Sequence, residues 1–342
     1  MKTPNVYLAL PHDAAKKSAR ALIMAMGLLP TELIDKPQAL KCLVEKMLAE
    51  PQSGALLDLR SLPQAARHVL HLSEQLPLEI KKRVVLLRHD QGAMWPIDRQ
   101  WIQELGFAEL LAEVDASAML AAPEHLPALL AQWTGQAALS AQQLGGHFSA
   151  MNLRPDPASS RGLIRLHTAM SAESLTQALM AHVKSIDRTH RFKTYNACFL
   201  GDEATQWLSQ HFRSSSRVAV QLGQALLQLG LVHHVMHEHE FENQAFFYRA
   251  DATQTGTHVH LGKLFIELTS PQGLMVQDRS YHGTSYSQCW VGAEAVDWLH
   301  IKKKLPRHEA ENLLNRLLSF GLIEHVLQEH RVKDENYFYR FR

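Results

Sequence analysis

The chain has 342 residues, of which 46% are hydrophobic and 20% are charged, and its formal net charge is +1 at pH 7. This length predicts two or three domains, and the near-neutral charge argues against nucleic-acid binding through a global positive field. Its three cysteines, Cys42, Cys198 and Cys289, stand singly without a CxxC pair, which argues against a disulfide framework and a thiolate metal site.

Two broad protein classes are disfavoured by simple pattern searches. No apolar run reaches the roughly 18 residues of a membrane-spanning helix, and the N-terminus lacks the pattern of a signal peptide. We therefore expect a soluble, cytoplasmic protein. The sequence also lacks a P-loop, a G-x-G-x-x-G turn after a strand, a nucleophile elbow and an H-E-x-x-H motif. We expect no enzymatic activity and no cofactor.

The first 135 residues alternate short apolar runs with helical stretches. Such alternation predicts strands that take turns with helices, and fully apolar strands are typical of a parallel sheet covered on both faces. The sequence therefore predicts a doubly wound α/β domain over residues 1–135. The predicted strands are 5–10, 32–35, 54–59, 83–87 and 107–111, and the predicted helices are 14–26, 37–50, 63–76, 97–105 and 122–133.

In order and length, these elements resemble the receiver domain of bacterial response regulators. The resemblance implies a flavodoxin-like fold with a phosphoacceptor aspartate at the end of the third strand, which is Asp58 here. It also implies an acidic pair for Mg²⁺, a Ser or Thr after the fourth strand and a Lys after the fifth. These positions fall near Leu10 and Pro11, near Arg88 and on Glu113, so the metal site and the charge clamp are missing.

Asp58 therefore has two interpretations. In the first, it ends a strand in a pseudo-receiver that serves as a protein-binding or dimerising scaffold. In the second, it is a candidate phosphoacceptor of an ordinary response regulator. We expect the first, because a phosphoryl group on Asp58 would meet no obvious metal ion or cation.

Residues 136–165 have the composition of a linker. An Ala- and Gln-rich stretch with a Gly145-Gly146 pair comes first, and NLRPDPASSRG follows with two prolines and two serines. Proline stiffens such a segment, and serine and glycine disfavour regular structure. We expect a helical and Pro-rich linker here.

The C-terminal half contains the same module twice. The windows FLGDEATQWL (199–208) and WVGAEAVDWL (290–299) lie 91 positions apart and match at five of ten positions. The same offset aligns LLQLGLVHHV with LLSFGLIEHV without an insertion. The period is too long for a solenoid repeat, so each copy should have its own core. The expected domains are 166–250, the first copy, and 257–342, the second copy.

Each copy predicts a winged-helix-like α+β unit. A first helix leads into a polar stretch that suits an exposed hairpin arm, and the helix with the Trp-Leu pair follows. A third helix ends at Gly230 in the first copy and Gly321 in the second, where glycine suits the position after a helix. Two β-rich runs around a polar turn then form a wing.

Several separated motifs make both copies resemble DEP domains, the signalling module named after Dishevelled, Egl-10 and Pleckstrin. These motifs are CFLG (198–201) and CWVG (289–292), the later Trp-Leu pairs, the Leu-Gly-Leu turn or its equivalent, and the Phe-Tyr-Arg ending. The resemblance covers nearly all of 173–342. It implies a non-enzymatic module that docks signalling proteins to receptors, partner proteins or anionic membrane surfaces.

Lys302, Lys303, Lys304 and Arg307 form a basic cluster between two predicted helices of the second copy. Cations near an anionic membrane are attracted to it by about 1 kcal/mol each. These four residues are therefore candidates for binding anionic lipid or a partner. The alternative is a solvated loop that keeps the helix ends soluble.

The arm of the first copy offers a second set of cations, namely Arg188, Arg191 and Lys193. The same two interpretations apply to them. They are candidates for binding anionic lipid or a partner, or else they are solvated residues of an exposed hairpin.

A histidine-rich run follows the third helix of the first copy. His233, His237 and His239 would share a face of a strand, and histidine is a common zinc ligand. In the second copy, however, Glu324 and Gln328 replace the first two. No tetrahedral ligand set is evident, so we predict no metal site.

The leading hypothesis is a bacterial signalling adaptor that joins a receiver-like domain to tandem DEP domains. A DNA-binding regulator is the alternative, because a receiver followed by a winged helix is also the layout of transcription factors. The third helix would then read DNA and should be basic. In the second copy it carries Glu309 and Glu311 and a single interior cation, Arg316, so nucleic-acid binding is not expected.

Overall fold

The structure is a computed structural model, and it describes most of the chain. The residues outside the description are 1–2, 11–12, 34–38, 63–68, 88–95, 113, 115, 122–124, 154–158, 191–192, 237–238 and 251–258. Among the described residues, no helix is both long and apolar enough to cross a bilayer.

The N-terminal region forms the predicted doubly wound, flavodoxin-like domain. Its five strands pair in parallel in the order β2-β1-β3-β4-β5. The strands are β1 (Asn5–Ala9), β2 (Leu29–Glu32), β3 (Gly54–Asp58), β4 (Val84–Leu87) and β5 (Glu109–Leu111). The helices are α1 (Asp13–Ala25), α2 (Ala39–Ala49), α3 (Val69–Gln75), α4 (Leu78–Lys81), α5 (Pro96–Glu104), α6 (Ala116–Ala121) and α7 (Leu126–Thr134), with a 3₁₀ turn at Leu59–Ser61.

Alternating residues of β1, β3, β4 and β5 supply two separate cores. Val6 and Leu8 of β1 point to the layer that contains α1 and α7. Tyr7 and Ala9 point to the opposite layer, with α2, α3 and α5. Burial on both sides explains why these strands are continuously apolar.

Three details differ from the sequence prediction. Strand β2 lies three residues before the predicted 32–35, because it pairs with β1 from Leu29 onward and tolerates Pro30 at the edge of the sheet. Helices α4 and α6 were not predicted. Helix α8 (Ala141–Ala150), in the predicted linker, packs on α1 and buries Leu144 and Phe148 in the core of the N-terminal domain.

The two copies have the same sheet topology. Each sheet has four strands, in the order β6-β7-β9-β8 in the first copy and β10-β11-β13-β12 in the second. The elements of the first copy are α9 (Ser160–Thr168), α10 (Ala172–His182), β6 (Ile186–His190), β7 (Lys193–Leu200), α11 (Gly201–His211), α12 (Ser216–Gln228), β8 (Val232–His234) and β9 (Phe247–Ala250). Those of the second are α13 (Leu261–Thr269), β10 (Gln277–Tyr281), β11 (Thr284–Val291), α14 (Gly292–Lys303), α15 (Arg307–Ser319), β12 (Ile323–His325) and β13 (Phe338–Phe341).

The predicted helix ends and close approaches are present in both copies. Gly230 and Gly321 have φ values of 68° and 73° and follow the third helices, as their sequence position predicts. Gly201 and Gly292 start the second helices against a neighbouring loop. A Cβ there would lie 2.3 Å from the carbonyl oxygen of Glu242 or Lys333, so the two helices need glycine.

A buried tyrosine ties the wing loop to the core in each copy. The Tyr248 hydroxyl donates to the Glu240 carbonyl, and that of Tyr339 donates to the Arg331 carbonyl at 2.7 Å. Both tyrosines are fully buried, and burial raises the pKa of each. The equivalence of the copies therefore extends to individual hydrogen bonds.

The N-terminal domain packs against the second copy through α5. Trp101 of α5 meets Phe320, just after α15, edge to face with ring centroids 4.8 Å apart. Asp98 of α5 faces Arg316 of α15, and Glu104 faces His260 at the start of α13. A continuous set of buried apolar residues runs from the N-terminal domain into both copies.

Candidate docking surfaces

The arms of both copies are held to the body of the module by the same contacts. Arg188 of β6 pairs with Glu203 of α11 at 3.2 Å, and Arg279 of β10 pairs with Glu294 of α14 at 2.7 Å. At the base of the first arm, Asp187 accepts a hydrogen bond from the backbone N–H of Ala197, which has a φ of 48°. The predicted arms are therefore hairpins fixed at the base.

Of the cations predicted in the first arm, Arg188 serves this anchoring contact. Its guanidinium faces inward, with Nε donating to the Cys198 carbonyl, and its side chain is only 17% exposed. Arg191 and the side chain of Lys193 lie outside the described residues. The described part of the arm thus brings no pair of free cations together.

The basic cluster of the second copy divides into paired and exposed residues. Lys303 pairs with Glu267 of α13, and Arg307 binds the Asp334 carboxylate in a bidentate manner with both N–O distances at 2.6 Å. Asp297 accepts a further hydrogen bond from Arg307. These carboxylates raise the pKa of Arg307, with the hydrogen bond to Asp334 as the largest cause. Lys303 and Arg307 are therefore engaged within the module.

Lys302 and Lys304 remain exposed at the end of α14, and neither forms an ion pair with a described residue. Lys304 ends the helix with a φ of 58°, in the left-handed region, which turns the chain away from the helix axis. Ile301, next to them, is 61% exposed. This end of α14, defined by Ile301, Lys302 and Lys304, combines two cations with an exposed apolar side chain; we call it the α14 tip.

The wing histidines pack against aromatic rings. His239 stacks on Phe246 with centroids 4.4 Å apart and meets His234 edge to face at 4.8 Å, whereas His237 lies outside the described residues. His325 and His330 repeat the edge-to-face pair in the second copy. Within the described part of the chain, no group of three or more His, Cys, Asp or Glu residues could hold a metal ion.

Asp58 is the last residue of the central strand β3, at the position where a receiver would carry its phosphoacceptor. Its side chain is nearly inaccessible, because the residue is 1% exposed. Leu10, at a position where a receiver would be acidic, is an apolar core residue that is 4% exposed. Pro11, Arg88 and Glu113 lie outside the described residues.

The third helix of the second copy, α15, is largely buried, and three of its polar residues are shielded from solvent. Asn312, Asn315 and Arg316 of α15 are at most 7% exposed, although they are polar. Arg316 Nη1 lies 3.5 Å from Asp98 Oδ2 in the N-terminal domain. The interior cation that a DNA-reading helix would need is thus directed into the protein.

Comparison with known domains agrees with this geometry. Residues 182–250 and 273–341 match the model of the domain found in Dishevelled, Egl-10 and Pleckstrin. The chain therefore contains two DEP domains. They correspond to the first and second copies, which we now call the first and second DEP domains.

The relatives found by sequence are much longer proteins. A 187-residue stretch is 32% identical to phosphatidylinositol 3,4,5-trisphosphate-dependent Rac exchanger 1 protein of Mus musculus, and it covers 51% of this chain and 11% of the relative. A 171-residue stretch is 29% identical to the corresponding exchanger 2 protein of Homo sapiens, over 45% and 10%. An 84-residue stretch is 33% identical to vacuolar membrane-associated protein iml1 of Emericella nidulans, over 24% and 5%. The chain thus spans about a tenth of these relatives or less.

Sequence patterns did not reveal two features of the DEP domains. Ile301 was visible only as one apolar residue beside three lysines, and its exposure depends on where α14 ends. The contact of Asp98 and Trp101 with the second DEP domain joins residues more than 200 positions apart, and no local pattern carries such a contact.

Proposed function

We propose that the protein is a non-enzymatic signalling adaptor whose second DEP domain docks on an anionic membrane surface. The α14 tip carries this proposal. Lys302 and Lys304 supply charge that no described carboxylate neutralises, and the exposed Ile301 side chain can enter the boundary between headgroups and acyl chains.

The names of the relatives support the same choice of surface. One is named for its dependence on a phosphatidylinositol trisphosphate, and another is named as vacuolar membrane-associated. In this adaptor, the first DEP domain and the N-terminal domain are free to hold partner proteins. The N-terminal domain acts as a pseudo-receiver scaffold, because Asp58 is buried and the clamp positions of a receiver are not matched in the sequence.

Two alternatives receive less support. A DNA-binding regulator needs a basic, exposed recognition helix, whereas α15 directs Arg316 into a contact with the N-terminal domain. A phosphorylatable regulator needs an accessible aspartate, whereas Asp58 is 1% exposed.

The test is co-sedimentation of the full chain with vesicles of phosphatidylcholine containing 20% phosphatidylserine, compared with phosphatidylcholine alone. The Lys302→Glu/Lys304→Glu variant loses about 2 kcal/mol or more of attraction, which corresponds to at least about 30-fold weaker binding. A control variant, Lys17→Glu/Lys82→Glu, changes exposed lysines of the N-terminal domain by the same net charge.

The expected result is weak binding for the DEP-domain variant and nearly unchanged binding for the control. Ile301→Ser should weaken binding without changing its dependence on salt, because it removes apolar contact only. Equal retention of all variants, or no retention of the wild type, would reject the proposal.

A further inference from the structure

In both DEP domains an additional helix packs against the first and third helices of the repeated module, counted as α10 and α12 in the first domain. In the first domain, α9 packs on α10 and α12, where Ser160 bonds to Gln228 at 2.7 Å and Arg161 pairs with Glu173 at 2.9 Å. In the second domain, the counterparts of α10 and α12 are α13 and α15. The helix against them is α5 of the N-terminal domain.

The α13/α15 groove receives α5 through side chains three residues apart. Asp98 meets Arg316, Trp101 meets Phe320, and Glu104 meets His260 Nδ1 at 2.8 Å. Residues spaced in this way lie near one another on a helix, so a single stripe of α5 makes the contact.

Gly262 shapes the wall of the groove. The Trp101 indole lies where a side chain would otherwise be, because a Cβ at Gly262 would come within 2.8 Å of Trp101 Nε1. The groove is therefore closely fitted to an aromatic side chain at this point of the occupying helix.

The chemistry of this groove differs between the two domains. Arg316 and Phe320 of the second domain correspond to Ala225 and Leu229 of the first, which are buried apolar residues under a covalently adjacent helix. The second groove thus contains a buried cation that needs a carboxylate. If the N-terminal domain were always bound to the second DEP domain, apolar residues at these positions would stabilise the contact equally well, since a buried ion pair seldom adds net stability.

Asn312 of α15 is a buried polar residue whose side-chain nitrogen makes no hydrogen bond within the described part of the chain. The residue is 4% exposed. Its counterpart in the first domain, Gln221, is exposed, so this buried amide is specific to the second domain. A buried amide without a partner costs about 1–3 kcal/mol. The described contacts of α15 therefore leave one of its buried polar groups unsatisfied.

We propose that the α13/α15 groove is a docking site for an amphipathic helix of a partner protein, with a carboxylate followed three residues later by an aromatic side chain, and that α5 is its intramolecular occupant. The carboxylate faces Arg316, and the aromatic ring packs on Phe320 beside Gly262. This inference rests on the proposed adaptor function and names the partner chemistry of the second DEP domain. Because α5 fills the groove in the free chain, the apparent affinity for a partner is reduced until α5 leaves.

The experiment uses the full chain and a fluorescent peptide with the α5 sequence, PIDRQWIQELG. A short peptide is not helical alone, so a side-chain staple joins the positions of Arg99 and Gln103, outside the contact stripe. A control peptide carries Asn in place of Asp98 and Ala in place of Trp101. Binding is measured by fluorescence anisotropy to the wild-type chain and to two variants with weakened α5 contacts, Asp98→Asn and Trp101→Ala.

The expected result is at least about tenfold tighter peptide binding by both variants than by the wild type, because the internal competitor is weakened. Adding Arg316→Gln to either variant should lower the affinity again, and the control peptide should bind poorly throughout. Asp98→Asn leaves Trp101 in the hydrophobic core. This variant alone can therefore test the proposal if Trp101→Ala does not fold.

Equal affinity of the wild type and the Asp98→Asn variant would overturn the proposal, and so would binding that persists after Arg316→Gln. The vesicle assay does not use the groove. Peptide failure with intact vesicle binding therefore rejects the groove alone, and vesicle failure with peptide binding rejects the membrane surface alone.

Discussion

The carboxylate of Asp98 lies 3.5 Å from the guanidinium of Arg316, and the two residues belong to different domains. Their side chains are 0% and 4% exposed. Taking two charges out of water costs about as much as their attraction returns, so this pair contributes mainly to the specificity of the contact. Together with Trp101 on Phe320, it joins α5 of the N-terminal domain to the second DEP domain.

Removing one member of this pair should lower the free energy of unfolding much more than replacing both with apolar residues. Arg316→Ala is expected to lower the free energy of unfolding by about 3–5 kcal/mol, because Asp98 is left charged and buried. The double variant Asp98→Leu/Arg316→Met should come within about 1 kcal/mol of the wild type or exceed it, since apolar side chains of similar volume replace the charges. Urea unfolding followed by tryptophan fluorescence measures both, and equal losses in the single and double variants would contradict the argument.

The repeat made the C-terminal half predictable. A constant offset of 91 positions pairs the residues of one copy with those of the other, and Gly201 and Gly292 do start equivalent helices in equivalent contacts. Local signals also placed the arms and the third helices, because turn residues and glycines act within a few positions of the chain. The alternation of apolar runs likewise indicated the parallel sheet.

The prediction of the basic docking surface was incomplete because its ion pairs join residues that lie far apart in the sequence. The basic cluster was visible as a run of cations, but the carboxylates that engage it come from α13, α14 and the wing loop. Only the fold shows that Lys303 and Arg307 are paired whereas Lys302 and Lys304 are exposed. The prediction of α5 as a helix was similarly sound, yet nothing in its sequence specified which domain its stripe would contact.

Asp58 gives a direct test of the pseudo-receiver interpretation. Incubation with acetyl phosphate and Mg²⁺ should leave the chain unlabelled, because the carboxylate is 1% exposed and the sequence supplies no acidic pair after β1. Intact-mass spectrometry detects an added phosphoryl group. Labelling that disappears in Asp58→Ala would show instead that the domain opens to a phosphodonor.

The close approach at the start of α11 and α14 predicts matched effects of one substitution in the two DEP domains. Gly201→Ala and Gly292→Ala should each destabilise their domain by about 1–3 kcal/mol, because the new methyl group meets a backbone carbonyl that cannot move aside easily. Thermal or urea unfolding measures the loss.

Gly146→Ala is the matched control for these variants. It lies within α8, and nothing lies within 4 Å of the added Cβ, so it should stabilise the chain by up to about 1 kcal/mol through helix propensity. If all three substitutions stabilise the chain, the steric explanation is wrong.

The wing of the second DEP domain depends on a neutral histidine. His325 is 4% exposed, and its Nδ1 accepts hydrogen bonds from the backbone N–H groups of Leu327 and Glu329, each at 3.3 Å. A protonated ring could not accept them. Burial lowers the pKa of His325, the charge of His330 lowers it further, and Glu329 acts in the opposite direction.

The second DEP domain should therefore lose stability in mild acid. The unfolded chain takes up a proton at His325 as the pH falls through about 6.5, whereas the folded chain resists until its lower pKa is reached. The stabilisation is complete above about pH 6.5 and is lost as the pH falls from there through the lower pKa of the folded state. His325→Asn keeps an acceptor oxygen without titrating, so urea unfolding between pH 7 and pH 5 should show a smaller loss than in the wild type. His282→Asn, at the exposed tip of the second arm, is the control. A slope that His325→Asn leaves unchanged would mean that another group governs the acid sensitivity.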